Sequence, residues 1–134
     1  MTLAGQYPRR RALVVDDDTT VRKLAKLALE RLGHWYVWAV DAPQCTPEAA
    51  AGFGPDLLIL DLRLGEYDGL DLLRTLRRRP ELAGTPALFC TGAGDADTRA
   101  RLRAAPGVEV IMKPFMPQEL ADRAGQCIAA RIGR

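Results

Sequence analysis

Short apolar runs alternate with amphipathic stretches from Ala12 almost to the C-terminus, and this alternation constrains the fold more than any other feature of the chain. Ala12 to Val15 is a β-rich run that stops at Asp16, Asp17 and Asp18. Thr19 or Thr20 can cap a helix whose apolar stripe uses Val21, Leu24, Ala25, Ala28 and Leu32, with Gly33 as its stop. Trp35 to Val40 reads as a second strand, and Pro47 with Glu48 opens a short helix ending near Gly52 to Pro55. Leu57 to Leu60 is apolar throughout with an aspartate at each end, as a strand buried on both faces requires. A loop follows, then a helix from Gly69 to about Arg79 that turns Leu70, Leu72, Leu73 and Leu76 inward. Pro86 to Cys90 forms a fourth strand ending at Thr91 and Gly92, and Asp97 or Thr98 begins a helix that fades by Pro106 and Gly107. Val108 to Met112 is the fifth strand, and Pro117 in a first turn opens the final helix.

Five strands alternating with five helices imply right-handed crossovers and a doubly wound α/β architecture, its parallel sheet covered on both sides. A chain of 134 residues suffices for one such domain without staples, so a polar lead over residues 1–10 and a single domain over 11–134 are expected. The formal charge of +2 requires no polyanionic partner. Arg77, Arg78 and Arg79 are expected to be the solvated end of a helix, where cations complement the dipole, rather than a nucleic-acid patch. Cys45, Cys90 and Cys127 are odd in number and share no close spacing, which argues against a disulfide framework or a zinc site and for reduced thiols in the cytoplasm. No apolar stretch is long enough to span a membrane, and the polar start has no signal-peptide character.

In an open α/β sheet, ligands bind beyond the carboxyl ends of the strands, so the residues there carry the functional information. The first strand ends in Asp16, Asp17 and Asp18, the third in Asp61, the fourth in Thr91 and the fifth in Lys113; the second ends less distinctively, near Asp41. Asp18 and Asp68 each precede a helix start and are readily explained as caps. Asp16, Asp17 and Asp61 are not. Carboxylates converging there repel by about 4 kcal/mol per close pair at an effective dielectric near 20. A raised pKa or a divalent cation must relieve this, and Mg²⁺ suits a hard oxygen donor set.

The stretches LVVDDD (Leu13 to Asp18), LLILDLRLGEYDG (Leu57 to Gly69), ALFCTG (Ala87 to Gly92) and IMKPF (Ile111 to Phe115) together resemble the receiver domains of bacterial response regulators, over nearly the whole chain after the first ten residues. The resemblance implies a flavodoxin-like strand order 2-1-3-4-5. It also implies Asp61 as phosphoacceptor, and Asp16 and Asp17 as an acidic pair that organises Mg²⁺ together with Asp61 and the backbone carbonyl of Arg63. Thr91 and Lys113 then contact phosphoryl oxygens, and the Lys113–Pro114 bond is expected to be cis. The implied partners are a sensor histidine kinase or histidine phosphotransfer protein and a downstream protein target, with no direct nucleic-acid or membrane contact. Such a domain catalyses only its own phosphoryl transfer and dephosphorylation.

Four positions depart from the family pattern. Val110 stands at a switch position often held by an aromatic residue, Gly65 stands where many members have proline, and Arg63 and Ala93 flank the path of attacking water. The principal rival is a haloacid-dehalogenase-type phosphatase, because Asp16 to Thr20 fits its D-x-D-x-T motif, but that reading leaves Asp61 and the Asp68–Gly69 turn unexplained. A receiver-like module that only binds partners is a second rival. A flavin-binding fold is a weaker one, since aspartates occupy the turn where phosphate-binding amides are needed. His34, the single histidine, is expected on the surface, and Trp35 and Trp38 on opposite faces of their strand.

Overall fold

The computed structural model describes residues 9–92 and 96–132. Five parallel strands, β1 (Arg11–Val15), β2 (Tyr36–Val40), β3 (Leu57–Leu60), β6 (Ala87–Thr91) and β7 (Val108–Met112), form one sheet in the order β2-β1-β3-β6-β7. Counted over these five strands alone, this is the 2-1-3-4-5 order of a flavodoxin-like fold. Five α-helices connect them: α1 (Thr19–Gly33), α2 (Pro47–Phe53), α3 (Gly69–Leu76), α4 (Ala96–Ala104) and α5 (Pro117–Ile132).

The strand period of two divides the core. Leu58 and Leu60 of β3 join Leu13, Val15 and Phe89 against α3, whereas Leu57 and Ile59 join Val14, Leu88 and Ile111 against α1 and α5. All four β3 residues are therefore buried, which accounts for its unbroken apolar run. Trp35 packs in one half and Trp38 against the other, as their spacing requires.

Of the residues that could cap α1, Asp18 does so rather than Thr19 or Thr20, its Oδ1 accepting from the Thr20 and Val21 amides. The sequence pattern misplaced several other details. The helix runs through Gly33, and His34 takes the left-handed cap at φ 57. Its buried face is Ala25, Ala28 and Leu29, while Leu24 and Leu32 are 52% and 46% exposed. Small alanines let α1 lie close beside α5, and that rotation leaves the leucines on the flank. Helix α3 stops at Leu76 rather than Arg79, and Leu72 is only half-buried.

The loop after β3 contains a two-stranded ribbon, β4 (Arg63–Leu64) with β5 (Tyr67–Asp68). Gly65, the first residue of its tight turn, has φ +66, which proline cannot adopt, so this geometry accounts for the absence of proline there.

Arg77 is the largest correction among the arginines. It is not a solvated helix end: its guanidinium donates to the carbonyls of Pro106 at 2.6 Å, Thr85 at 2.9 Å and Gly107 at 3.4 Å, fastening the end of α3 to the α4–β7 turn.

Candidate phosphoacceptor site

The sheet ladder continues past the regular strands and thereby fixes the acids. The Asp16 amide donates to the Val40 carbonyl and the Asp61 amide to the Val15 carbonyl, both at 3.1 Å. On β7's side, the Lys113 amide donates to the Thr91 carbonyl at 2.9 Å. The backbone at each site residue is thus positioned before its side chain is considered.

The side chains then converge. Lys113 Nζ lies 2.8 Å from Asp16 Oδ2 and 3.0 Å from Asp61 Oδ2. Carboxylate oxygens of Asp16, Asp17 and Asp61 all lie within 4.8 Å of one another. Asp16 is 3% exposed and Asp17 is exposed, giving the cluster one buried wall and one open side. Asp16 Oδ1 accepts the Asp18 amide at 2.9 Å, and Asp61 Oδ1 accepts the Arg63 amide at 3.3 Å.

Burial drives the Asp16 carboxyl above its ordinary pKa, against the opposing hydrogen bonds from Lys113 and the Asp18 amide. Burial pulls the other way on Lys113, but its bonds to Asp16 and Asp61 prevail and hold its pKa above the usual lysine value. The Lys113 ammonium relieves part of the carboxylate repulsion. Three carboxylates and one ammonium nevertheless sum to two negative charges when ionised. Hard oxygen donors, an excess of negative charge and an accessible side fit a small divalent cation.

The glycine after Asp68 is dictated by this site. A Cβ at Gly69 would collide with the Asp61 carbonyl oxygen, and the Gly69 amide donates to Leu62 at 2.7 Å. Asp68 caps α3 as expected, with Oδ1 accepting the Leu70 and Asp71 amides. Asp41 is also a cap, on a short 3-10 turn over Ala42–Gln44.

Thr91 is buried at the end of β6, opposite Met112 in the register that leads to Lys113. The Lys113–Pro114 bond is cis. Val110 is half-buried against the core, and its carbonyl accepts from Arg123 at 2.9 Å. Ala93 lies outside the described residues. Arg22 escaped the sequence reading: its guanidinium donates to the Asp16 carbonyl at 2.7 Å and to Thr19 Oγ1 at 3.1 Å. A cation near the start of a helix runs against the dipole, and that misfit was the available signal.

Comparison with known proteins agrees with this fold. The family model described as the response regulator receiver domain matches residues 12–125. The transcriptional regulatory protein TrcR of Mycobacterium tuberculosis is 34% identical over 132 residues, spanning 90% of this chain and 49% of that protein. Transcriptional regulatory protein AruR of Pseudomonas aeruginosa is 36% identical over 122 residues, spanning 88% and 49%. The chain therefore spans about half the length of the curated relatives it matches. Among solved structures, chemotaxis response regulator CheY4 of Vibrio cholerae superposes with a TM-score of 0.79 at 20% identity, covering 90% of this chain and 99% of that one, a likeness of fold. The non-phosphorylated HemR receiver domain of Leptospira biflexa gives 0.73 at 29% identity, covering 90% and 95%. By family match and by fold, the chain belongs to the response regulator receiver domains of two-component signalling.

Proposed function

We propose that residues 11–134 form a phosphoacceptor receiver domain in which Asp61 takes a phosphoryl group from a phosphohistidine on a sensor histidine kinase or histidine phosphotransfer protein. One observation carries the reading: the Asp61 carboxylate meets a lysine ammonium and two further carboxylates at the accessible end of the sheet. An Asp61 oxygen attacks phosphorus in line with the departing imidazole nitrogen, so the P–N bond breaks as the P–O bond forms. Lys113 shifts its ammonium from the carboxylates toward a phosphoryl oxygen, and the Thr91 hydroxyl donates to another. Asp16, Asp17, Asp61 and the Arg63 carbonyl are the proposed holders of Mg²⁺, which supplies positive charge against the phosphoryl oxygens when bound. Water later attacks the acyl phosphate, returning Asp61 and inorganic phosphate.

The phosphatase rival needs Asp16 and Asp18 as a catalytic pair. Asp18 is occupied as the α1 cap, and the acid that meets Asp16 through Lys113 is Asp61. The phosphorylated surface is proposed to signal to a protein target, in the cytoplasm where its donor kinase domain would reside. No helix among the described residues is long and apolar enough to cross a membrane.

Intact mass after treatment with acetyl phosphate and Mg²⁺ tests the proposal. Wild type is expected to gain one phosphoryl mass and Asp61→Asn none. A gain in both proteins, or in neither, would refute the assignment.

A further inference from the structure

A second feature lies away from the acidic site, between α3 and α4. An open groove of about 350 Å³ runs there, floored by apolar Leu70, Leu73, Ala104 and Pro106. Arg74, Arg77, Arg78 and Arg101 also line it. Among the described residues two carboxylates answer them: Asp71 pairs with Arg74 at 3.2 Å, and Asp68 with Arg101 at 3.2 Å. Arg77 and Arg78 have no carboxylate in salt-bridge range among the described residues, so four cations against two acids leave an excess of two positive charges.

The state of Arg77 sharpens this. Among the described residues its head bonds only to backbone carbonyls, and its buried Nε has no hydrogen-bond partner. Burial accordingly lowers its pKa, with no acidic neighbour acting against that effect. A desolvated guanidinium without a counter-ion projects its field into the adjoining groove, where screening by water is weaker than on an open surface. Arg78 is exposed at the rim, with its planar fork available for a carboxylate.

We propose that the α3–α4 groove is a docking site for an acidic peptide segment of a partner protein, which sets carboxylates against Arg74 and Arg78 and an apolar side chain against Ala104 and Pro106. The open form between two helices suits a chain segment rather than an enclosed small molecule, and the charge complement fixes the sign of the occupant. A carboxylate reaching Arg101 would compete with Asp68, whose neighbour Gly69 packs on the Asp61 carbonyl. That chain of contacts links one rim of the groove to the acidic site, although binding there does not require Asp61 to be phosphorylated.

Fluorescence anisotropy with a short fluorescein-labelled peptide of alternating Asp, Glu and Leu tests this, with its Asn and Gln counterpart as control. The acidic peptide is expected to bind, the amide peptide not to, and Arg74→Glu with Arg78→Glu to weaken binding by about tenfold or more. Arg74→Gln with Arg78→Gln, which removes charge without reversing it, is expected to give a smaller loss in the same direction. Arg99→Glu with Arg103→Glu changes exposed α4 arginines that do not line the groove, and is expected to leave affinity within about twofold. Equal losses in the two reversed pairs would mean general charge attraction and overturn the proposal, as would no binding at all. Tighter binding of a labelled single-stranded oligonucleotide at the same arginines, or self-association abolished by the same pair, would overturn it in favour of those occupants.

Discussion

Helices α3 and α4 flank one groove but are held by different forces. Helix α3 buries Gly69, Leu70, Leu73 and Leu76 and carries an aspartate cap. Among the described side chains of α4 only Thr98 and Leu102 are buried; the helix is tied instead by Arg101 to Asp68, and by Arg77 at the turn that follows it. A buried leucine contributes roughly 1.5–3 kcal/mol, whereas a typical internal hydrogen bond contributes about 0.5–1.5 kcal/mol net. The difference teaches where movement is cheap. Helix α3 is part of the core that holds Asp61, while α4 can shift by exchanging polar ties, and such weakly buried elements open first. If Asp61 is phosphorylated as proposed, these polar ties are a route by which a change there could reach the surface, since valine at position 110 offers no ring to swing.

The most damaging way to test the contrast is to cut one leucine from each helix. Leu73→Ala is expected to cost about 3 kcal/mol in urea denaturation, and Leu102→Ala about 2 kcal/mol because a loosely held helix can settle into the space. Amide exchange in α4 should already outpace that in α3 in the wild type. An equal or larger loss at Leu102, with matched exchange rates, would break the comparison.

The same contrast explains what the sequence disclosed. The five strands and the acids at their ends were legible because burial on both faces leaves an unmistakable apolar run, and its polar terminus is then the anomaly. Asp16, Asp17, Asp61 and Lys113 were nominated on that logic and do meet in space. The exposure of Leu24, the cap at His34 and the task of Arg77 were not legible, since each depends on which neighbour a surface meets. Arginine at a helix end looks the same in sequence whether it faces water or three carbonyls. The β4–β5 ribbon is too short to leave a periodic signal.

Arg77→Met tests that polar anchorage. Methionine keeps much of the aliphatic stem but leaves the Pro106 and Thr85 carbonyls without their donor, at an expected cost of about 1–2 kcal/mol. Faster amide exchange should be confined to α4 and the turn before β7. An unchanged urea midpoint with unchanged exchange would return Arg77 to the role of a solvated helix end.

The smallest effect belongs to the ion pair between the two helices, and pH isolates it. Burial alone would raise the Asp68 pKa, but the Asp71 amide, Arg101 and the Leu70 amide together lower it below the ordinary value. A depressed folded pKa means the unfolded chain takes up the proton first. The stability it contributes is therefore present above the unfolded value of about 4 and is lost as pH falls through the folded one. Asp68→Asn keeps an oxygen for the Leu70 and Asp71 amides while removing the charge that faces Arg101. Because the pair is partly solvated, the substitution is expected to cost only about 0.5 kcal/mol at neutral pH. Urea midpoints of the two proteins should converge as pH falls from about 4, where the unfolded chain begins to take up the proton, through the lower folded pKa. A gap that persists after the carboxylate is neutralised would assign the loss to cap geometry, and the charge of Asp68 would then contribute nothing measurable to holding α4.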